Sequence, residues 1–171
     1  MRWPIGLALL VVTPASAEVR SSAPDAFVLE QIVVIDAPPE RVWTRMGEVQ
    51  RWWNAGHSYS GRPANLSLDL SVPGCFCEKL DGGRGSVEHA RVIHADRGKL
   101  LRLSGGLGPL QAEAAVATLS FALATLGKGT RLTMTYVVGG NLRGKGALLA
   151  APVDAVLAEQ LSRLKASAER S

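Results

Sequence analysis

Cysteine is nearly absent from this 171-residue chain: Cys75 and Cys77, one residue apart in "PGCFCE", are the only two. They leave three roles open, a redox pair, half of a metal site, or two small apolar residues on a strand. Like charges never run together. Arg41, Arg45 and Arg51 share a segment with Glu40 and Glu48, so the net charge of +4 reads as a solvated surface, and no nucleic-acid partner is expected. Past the N-terminus no apolar stretch approaches the roughly 20 residues of a bilayer-spanning helix. Repeats and low-complexity tracts are missing. "GGLGP" (105–109) is followed by Leu110-Gln111, where a phosphate-binding loop needs Lys and then Ser or Thr. No serine stands in a G-x-S-x-G elbow. A flexible loop at a cavity rim is the reading left for 105–109.

What is present starts with "MRWPIGLALLVVTPASAEV". Arg2, the short apolar run Ile5 to Val12 and the small residues Ala15-Ser16-Ala17 have the layout of a secretory signal peptide. No twin-arginine pair and no closely following cysteine for lipid attachment accompany it. A cut after Ala17 leaves 154 residues (171 − 17) and a net charge of +3, since 18 basic residues then face 15 acidic ones. The expectation is a periplasmic or secreted protein with no stable membrane insertion after cleavage. Residues 18–26 are expected as a flexible lead-in and 27–169 as one domain. Apolar content of 47% with 20% charged residues suits a globular core.

The segment 27–36 is rich in β-branched residues and predicts a strand. Behind it Pro39 suits a first helical position, and Val42, Met46, Val49 and Trp53 recur on one helix face. Gly47 divides this region into two short helices. The period then changes to two. Leu66, Leu68, Leu70 and Val72 alternate with polar residues, "CFCEKL" (75–80) follows, and "DGGRG" (81–85) is a hairpin turn. Strands are predicted in "SVEHARVIH" (86–94), in "KLLRLS" (99–104) and around Leu119–Leu123 and Leu132–Val138, which makes a six-stranded antiparallel meander. From Pro152 onward Val153, Val156, Leu157, Leu161, Leu164 and Ala168 form an apolar stripe, predicting a long closing helix. A sheet with one apolar face and a helix with a matching stripe cover one another. The expected class is α+β, a curved antiparallel sheet of about seven strands wrapped around the C-terminal helix. Small residues at Ala112, Ala114, Ala115, Ala117, Ala122 and Ala124 are expected to leave room for a cavity.

The run "IVVIDAPPERVWTRMGEVQRWW" (32–53) resembles the opening of the START-like (SRPBCC) superfamily, a strand, Ala-Pro and a Val-Trp helix. "GSVEHARVIHADRGKLLRLSGGLGPLQ" (85–111) is similar to bacterial members of its polyketide-cyclase and chaperone-ATPase-activator-like branches. The resemblance spans Phe27 to Lys165. It implies the helix-grip fold and an internal cavity for a small hydrophobic or lipid-like ligand, and says little of activity, because the superfamily hosts carriers, cyclases and oxygenase domains. The paired Cys/His loops of a Rieske centre are absent, and no cofactor is expected. An export signal argues against the cytoplasmic chaperone-activating role.

Within that frame His89 and Arg91 are expected on one strand face as polar groups in an apolar pocket, with Trp53, Phe121, Met134 and Tyr136 as further lining. Trp43 is expected to pack in the core. Trp52 and Trp53 do not both face inward on one helix, and His57 and Tyr59 follow in a loop placed to gate the mouth. For the cysteines, a disulfide closes a very small ring, and a zinc site needs His89 opposite Cys77 and tolerates Arg91 badly. The preferred reading is packing as small apolar residues, with no metal. A non-enzymatic ligand carrier is the leading function. The alternatives are a cyclase, lyase or hydrolase with His89, Glu88 or Glu78 as general base, and an interaction module whose cavity is closed by Phe76, Phe121, Met134 and Tyr136.

Overall fold

The computed structural model describes residues 16–170, so most of the predicted leader lies outside the described residues. One eight-stranded antiparallel sheet runs in the order β1-β2-β8-β7-β6-β5-β4-β3. Its strands are β1 (Ser16–Ala23), β2 (Ala26–Ile35), β3 (Leu66–Leu68), β4 (Cys75–Leu80), β5 (Gly85–Asp96), β6 (Leu100–Ser104), β7 (Ala114–Leu126) and β8 (Gly129–Asn141). Helix α1 (Pro39–Gly47) follows β2, and α2 (Gly146–Glu169) closes the chain. The meander of six strands is therefore present as β3 to β8, with β2 added beside β8. The α+β class and the helix-grip arrangement hold.

Four expectations about elements change. Residues 18–26 were expected as a flexible lead-in, but they form most of β1, an edge strand that pairs with the otherwise open side of β2. The strand at 66–72 stops at Leu68. There the Asp69 carboxylate accepts the Ser71 N–H and O–H and turns the chain, which the alternation of Leu70 and Val72 conceals. The second short helix is only a 3-10 turn, Val49–Arg51. With the chain off the helical path, Trp52 and Trp53 are both buried, contrary to the expectation that they do not both face inward. Finally α2 begins six residues before Pro152. Gly146 opens it because a Cβ there would lie 2.3 Å from the Ala23 carbonyl oxygen, and its N–H donates to Pro24 O at 2.7 Å.

The core lies between the concave face of the sheet and one side of α2. Phe27, Leu29, Val33 and Ile35 of β2 point inward at every second position. Leu119, Phe121 and Leu123 of β7 and Leu132, Met134, Tyr136 and Val138 of β8 do the same. On α2 they meet Leu157, Leu161, Leu164 and Ala168. Full burial of one such side chain stabilises by about 1.5–3 kcal/mol, so this layer fixes the fold. Most alanines expected to hollow the sheet point the other way. Ala114, Ala122 and Ala124 are exposed on the convex face, and Ala117 alone among the alanines of β7 is fully buried.

Candidate functional site

A cavity of about 480 Å³ remains at one end of the sheet–helix interface. Its volume falls within the usual range for small-molecule sites. Three segments wall it: Trp53 and Gly56 to Tyr59 of the loop after α1, Leu107 to Pro109 of the loop after β6, and Leu149, Pro152, Val153, Val156 and Leu157 of α2. From the sheet, His89 reaches it. The wall is mostly apolar, and of its α2 residues only Leu149 lies outside the helix expected from Pro152 onward.

His89 faces inward because of a β-bulge. Phe76 of β4 pairs with Ala90 and Cys77 with Glu88, so His89 is an extra residue with no partner of its own. A bulge of this kind breaks strict alternation. His89 and Ala90 are consequently both buried, while Glu88 and Arg91 on either side are exposed and ion-paired to each other. Gly105 presses on the bulge: a Cβ there would lie 2.5 Å from the His89 carbonyl oxygen. Close approach of the two backbones thus requires glycine at this point of the rim loop.

Glu78 lies one turn of the pleat from Phe76, on the same inward face of β4. Its carboxylate Oε2 is 3.0 Å from His89 Nε2, with side-chain exposures of 0% for Glu78 and 6% for His89. The same carboxylate accepts the backbone N–H of Tyr59 at 3.0 Å and that of Ser60. Burial by itself pushes the Glu78 carboxyl up, but the hydrogen bonds from Ser60, Tyr59 and His89 outweigh it and hold the group below the usual carboxylate range. Burial holds His89 below the ordinary histidine value despite the attraction of Glu78. An ionised carboxylate accepts only, so a neutral His89 carries its proton on Nε2 and leaves Nδ1 as an acceptor. The imidazole is held between rings, with centroids 4.6 Å from Phe76 and 5.9 Å from Tyr59. Nδ1 makes no hydrogen bond to protein among the described residues, yet it is not sealed, since Gln160 Nε2 is the one sealed and unpaired side-chain atom among them.

The loop over the cavity is pinned to α2 from several points. Asn54 N donates to Gln160 Oε1 at 2.7 Å, and Arg163 Nε donates to Trp52 O at 2.7 Å. His57 Nε2 lies 3.1 Å from Glu159 Oε2, and Trp53 Nε1 donates to His57 O at 3.0 Å. Tyr59 Oη donates to Gln111 Oε1 at 3.1 Å and so ties this loop to the rim loop after β6. The rim loop has its own anchor. Tyr136 Oη accepts from Leu107 N at 3.0 Å and donates to Gly105 O at 3.1 Å. Burial pushes the Tyr136 hydroxyl up to about 12, so it stays protonated.

Of the residues expected to line a pocket, the structure brings Trp53 and His89 to the cavity wall, with His57 and Tyr59 at its loop side. Arg91 lies on the outer face, because the bulge separates it from His89. Phe121, Met134 and Tyr136 are buried in the packed part of the core and line no wall of this cavity. Phe76, on β4 near the edge of the sheet, packs instead against Trp53 and His89, with ring centroids 4.9 and 4.6 Å apart. Trp43 is buried as expected. The cysteines correct the packing expectation: Cys75 and Cys77 share the outward face of β4 and are joined by a disulfide, with Cα atoms 5.5 Å apart. Cys77 pairs with Glu88 rather than His89, which separates the three residues of the considered zinc site. Among the described residues no group of three His, Cys, Asp or Glu side chains is placed to hold a metal ion. No helix among them is long and apolar enough to cross a membrane.

Comparison with known proteins matches residues 26–169 to the family described as polyketide cyclase / dehydrase and lipid transport. No curated protein matches the chain. Among solved structures, the CalU16 protein of Micromonospora echinospora superposes with a TM-score of 0.61 at 14% identity, over 92% of this chain and 88% of that one. An uncharacterised protein of Rhizobium leguminosarum gives 0.60 at 20% identity, over 93% and 100%. Protein CV1439 of Chromobacterium violaceum gives 0.59 at 17%, over 84% and 98%. At these identities the likeness is one of fold.

Proposed function

The chain belongs to the polyketide cyclase / dehydrase and lipid transport family of the SRPBCC superfamily, and from that premise we propose that it is an exported binding protein for a small hydrophobic or lipid-like molecule held between the sheet and α2. The observation that carries this reading is the apolar cavity of about 480 Å³ walled by Trp53, the rim loop and the first half of α2. Apolar burial of a ligand there needs no cofactor. The leader sequence supports export, and a cut after Ala17 leaves β1 from Glu18 onward to pair with β2.

Fluorescence of N-phenyl-1-naphthylamine, which brightens in apolar sites, tests the cavity. Saturable enhancement by the wild type, lost in Val153→Trp with the circular dichroism unchanged, is the expected result. Equal enhancement by the filled variant places the probe elsewhere and removes the reading. Export is tested by fractionating cells and weighing the intact protein. A mass beginning at Glu18 in the periplasm or medium is expected, and an uncut cytoplasmic chain contradicts it.

One observation favours a second reading. Glu78 and His89 form a buried carboxylate–imidazole pair with a free acceptor nitrogen, the arrangement a general base requires. If the protein is an enzyme of cyclase, lyase or hydrolase type, His89→Ala abolishes turnover of its substrate while binding persists.

A further inference from the structure

We propose that the cavity selects apolar molecules carrying an alcohol or phenol hydroxyl, which donates to His89 Nδ1, and that it discriminates against the matching ether, ketone or carboxylate. This rests on the reading of the cavity as a ligand site and adds the polarity of its recognition. The argument is one of donors and acceptors. Glu78 collects three N–H donors, from Tyr59, Ser60 and His89, and nothing on its surface remains for a fourth partner from the ligand. Its carboxylate fixes the His89 proton on Nε2, and a flip of the ring would set a C–H against the carboxylate instead. Stacking between Phe76 and Tyr59 holds the plane of the ring. Nδ1 is thus an acceptor of fixed position with no hydrogen-bond partner among the described residues.

The side-chain donors of the same wall are spent within the protein. Trp53 Nε1 donates to His57 O, Tyr59 Oη to Gln111 Oε1, and Ser58 Oγ to Ala55 O, while His57 Nε2 faces the Glu159 carboxylate. The Gly56 N–H is taken by Asn54 Oδ1. A ligand hydroxyl finds a matching acceptor at His89. A ligand carbonyl or carboxylate oxygen loses its water and meets a lone pair, the unfavourable pairing that gives polar sites their selectivity.

Displacement of N-phenyl-1-naphthylamine near neutral pH by 2-naphthol, 2-methoxynaphthalene and 2-naphthoate provides the test, since the three share one ring system. The expected order is the naphthol first, roughly fivefold tighter than the ether, as one hydrogen bond supplies, with the carboxylate weakest. In His89→Phe the naphthol and the ether bind alike. Glu78→Gln also reduces the preference, because a neutral amide holds the Nε2 proton less firmly than the carboxylate does. Equal binding of naphthol and ether to the wild type overturns this inference and leaves the cavity reading standing. A carboxylate that binds tightest overturns it too, making His89 a cation. Failure of all three rings to displace the dye overturns it together with the cavity reading. Should Glu78→Gln not fold, the wild type and His89→Phe decide the matter alone.

Discussion

The two halves of α2 rest on different floors. Its second half sets Leu161, Leu164 and Ala168 into the packed core over β2 and α1, where every one of them is buried. Its first half holds Leu149, Val153 and Val156 over a space, half-buried, with loops rather than strands opposite. Both halves carry the same kind of side chain. What differs is the facing surface: tightly alternating strand residues below one half, and below the other two loops held off by the Glu78 carboxylate and the Tyr136 hydroxyl. Hydrophobic residues thus close the core where the opposite surface interdigitates and line a cavity where it cannot.

Mutation of the packed half should give the largest effect. Leu164→Ala deletes buried methyls in a closed core and is expected to lower the unfolding free energy by about 2–5 kcal/mol, read as the urea midpoint. Val153→Ala on the open half is expected to change it by less than about 1 kcal/mol and to weaken dye binding instead. Equal losses in the two variants would erase the distinction between the halves.

Acid is expected to act next, and on the open half. The unfolded chain takes up the His89 proton near the ordinary value of 6.5, whereas burial holds the folded histidine below it, so stability declines as pH falls from about 6.5 toward the folded value. Glu78 adds a second decline. Burial raises its carboxyl, the hydrogen bonds from Ser60, Tyr59 and His89 more than reverse this, and the stability they bring is lost as pH falls from about 4.5 through the folded value. Urea midpoints across this range check both signs. His89→Phe should flatten the upper step and keep the lower one, and an unchanged upper step would assign that loss to another group.

The last expected effect links the halves. Tyr136→Phe keeps the packing of β8 but leaves the Leu107 N–H without its acceptor, for a loss of about 1–2 kcal/mol. Faster hydrogen exchange at the Leu107 amide, with core amides unchanged, would show that a residue of the packed half positions the rim of the open one. Uniformly faster exchange would make Tyr136 an ordinary core residue.

Much of the fold is legible in the residues. Alternation of Leu119, Phe121 and Leu123 against Thr118 and Ser120 announces β7, and the 153–168 stripe announces α2. Both patterns repeat over many positions, so a single exception does not hide them. The site is less legible. Phe121, Met134 and Tyr136 carry the same inward pattern whether the space beneath them is filled or empty, and nothing in β7 or β8 says which. Pro152 looks like a helix start, because the true start depends on a close approach to Ala23 and Pro24, far away in sequence. The pairing of Cys75 with Cys77 follows from their shared face on β4, a geometry that spacing permits without requiring.

The sequence by itself determined the class, the antiparallel meander, the closing helix and most of the core, because burial follows a period that each segment carries within itself. The tertiary structure decided the site. One extra residue in β5, His89, turns inward only because β4 pairs across it with Phe76 and Cys77. Glu78 becomes an ionised acceptor only because the loop at Tyr59 and Ser60 brings its N–H groups to it. Register and long-range hydrogen bonds belong to no single segment, and a slip of one residue exchanges the two faces of a strand.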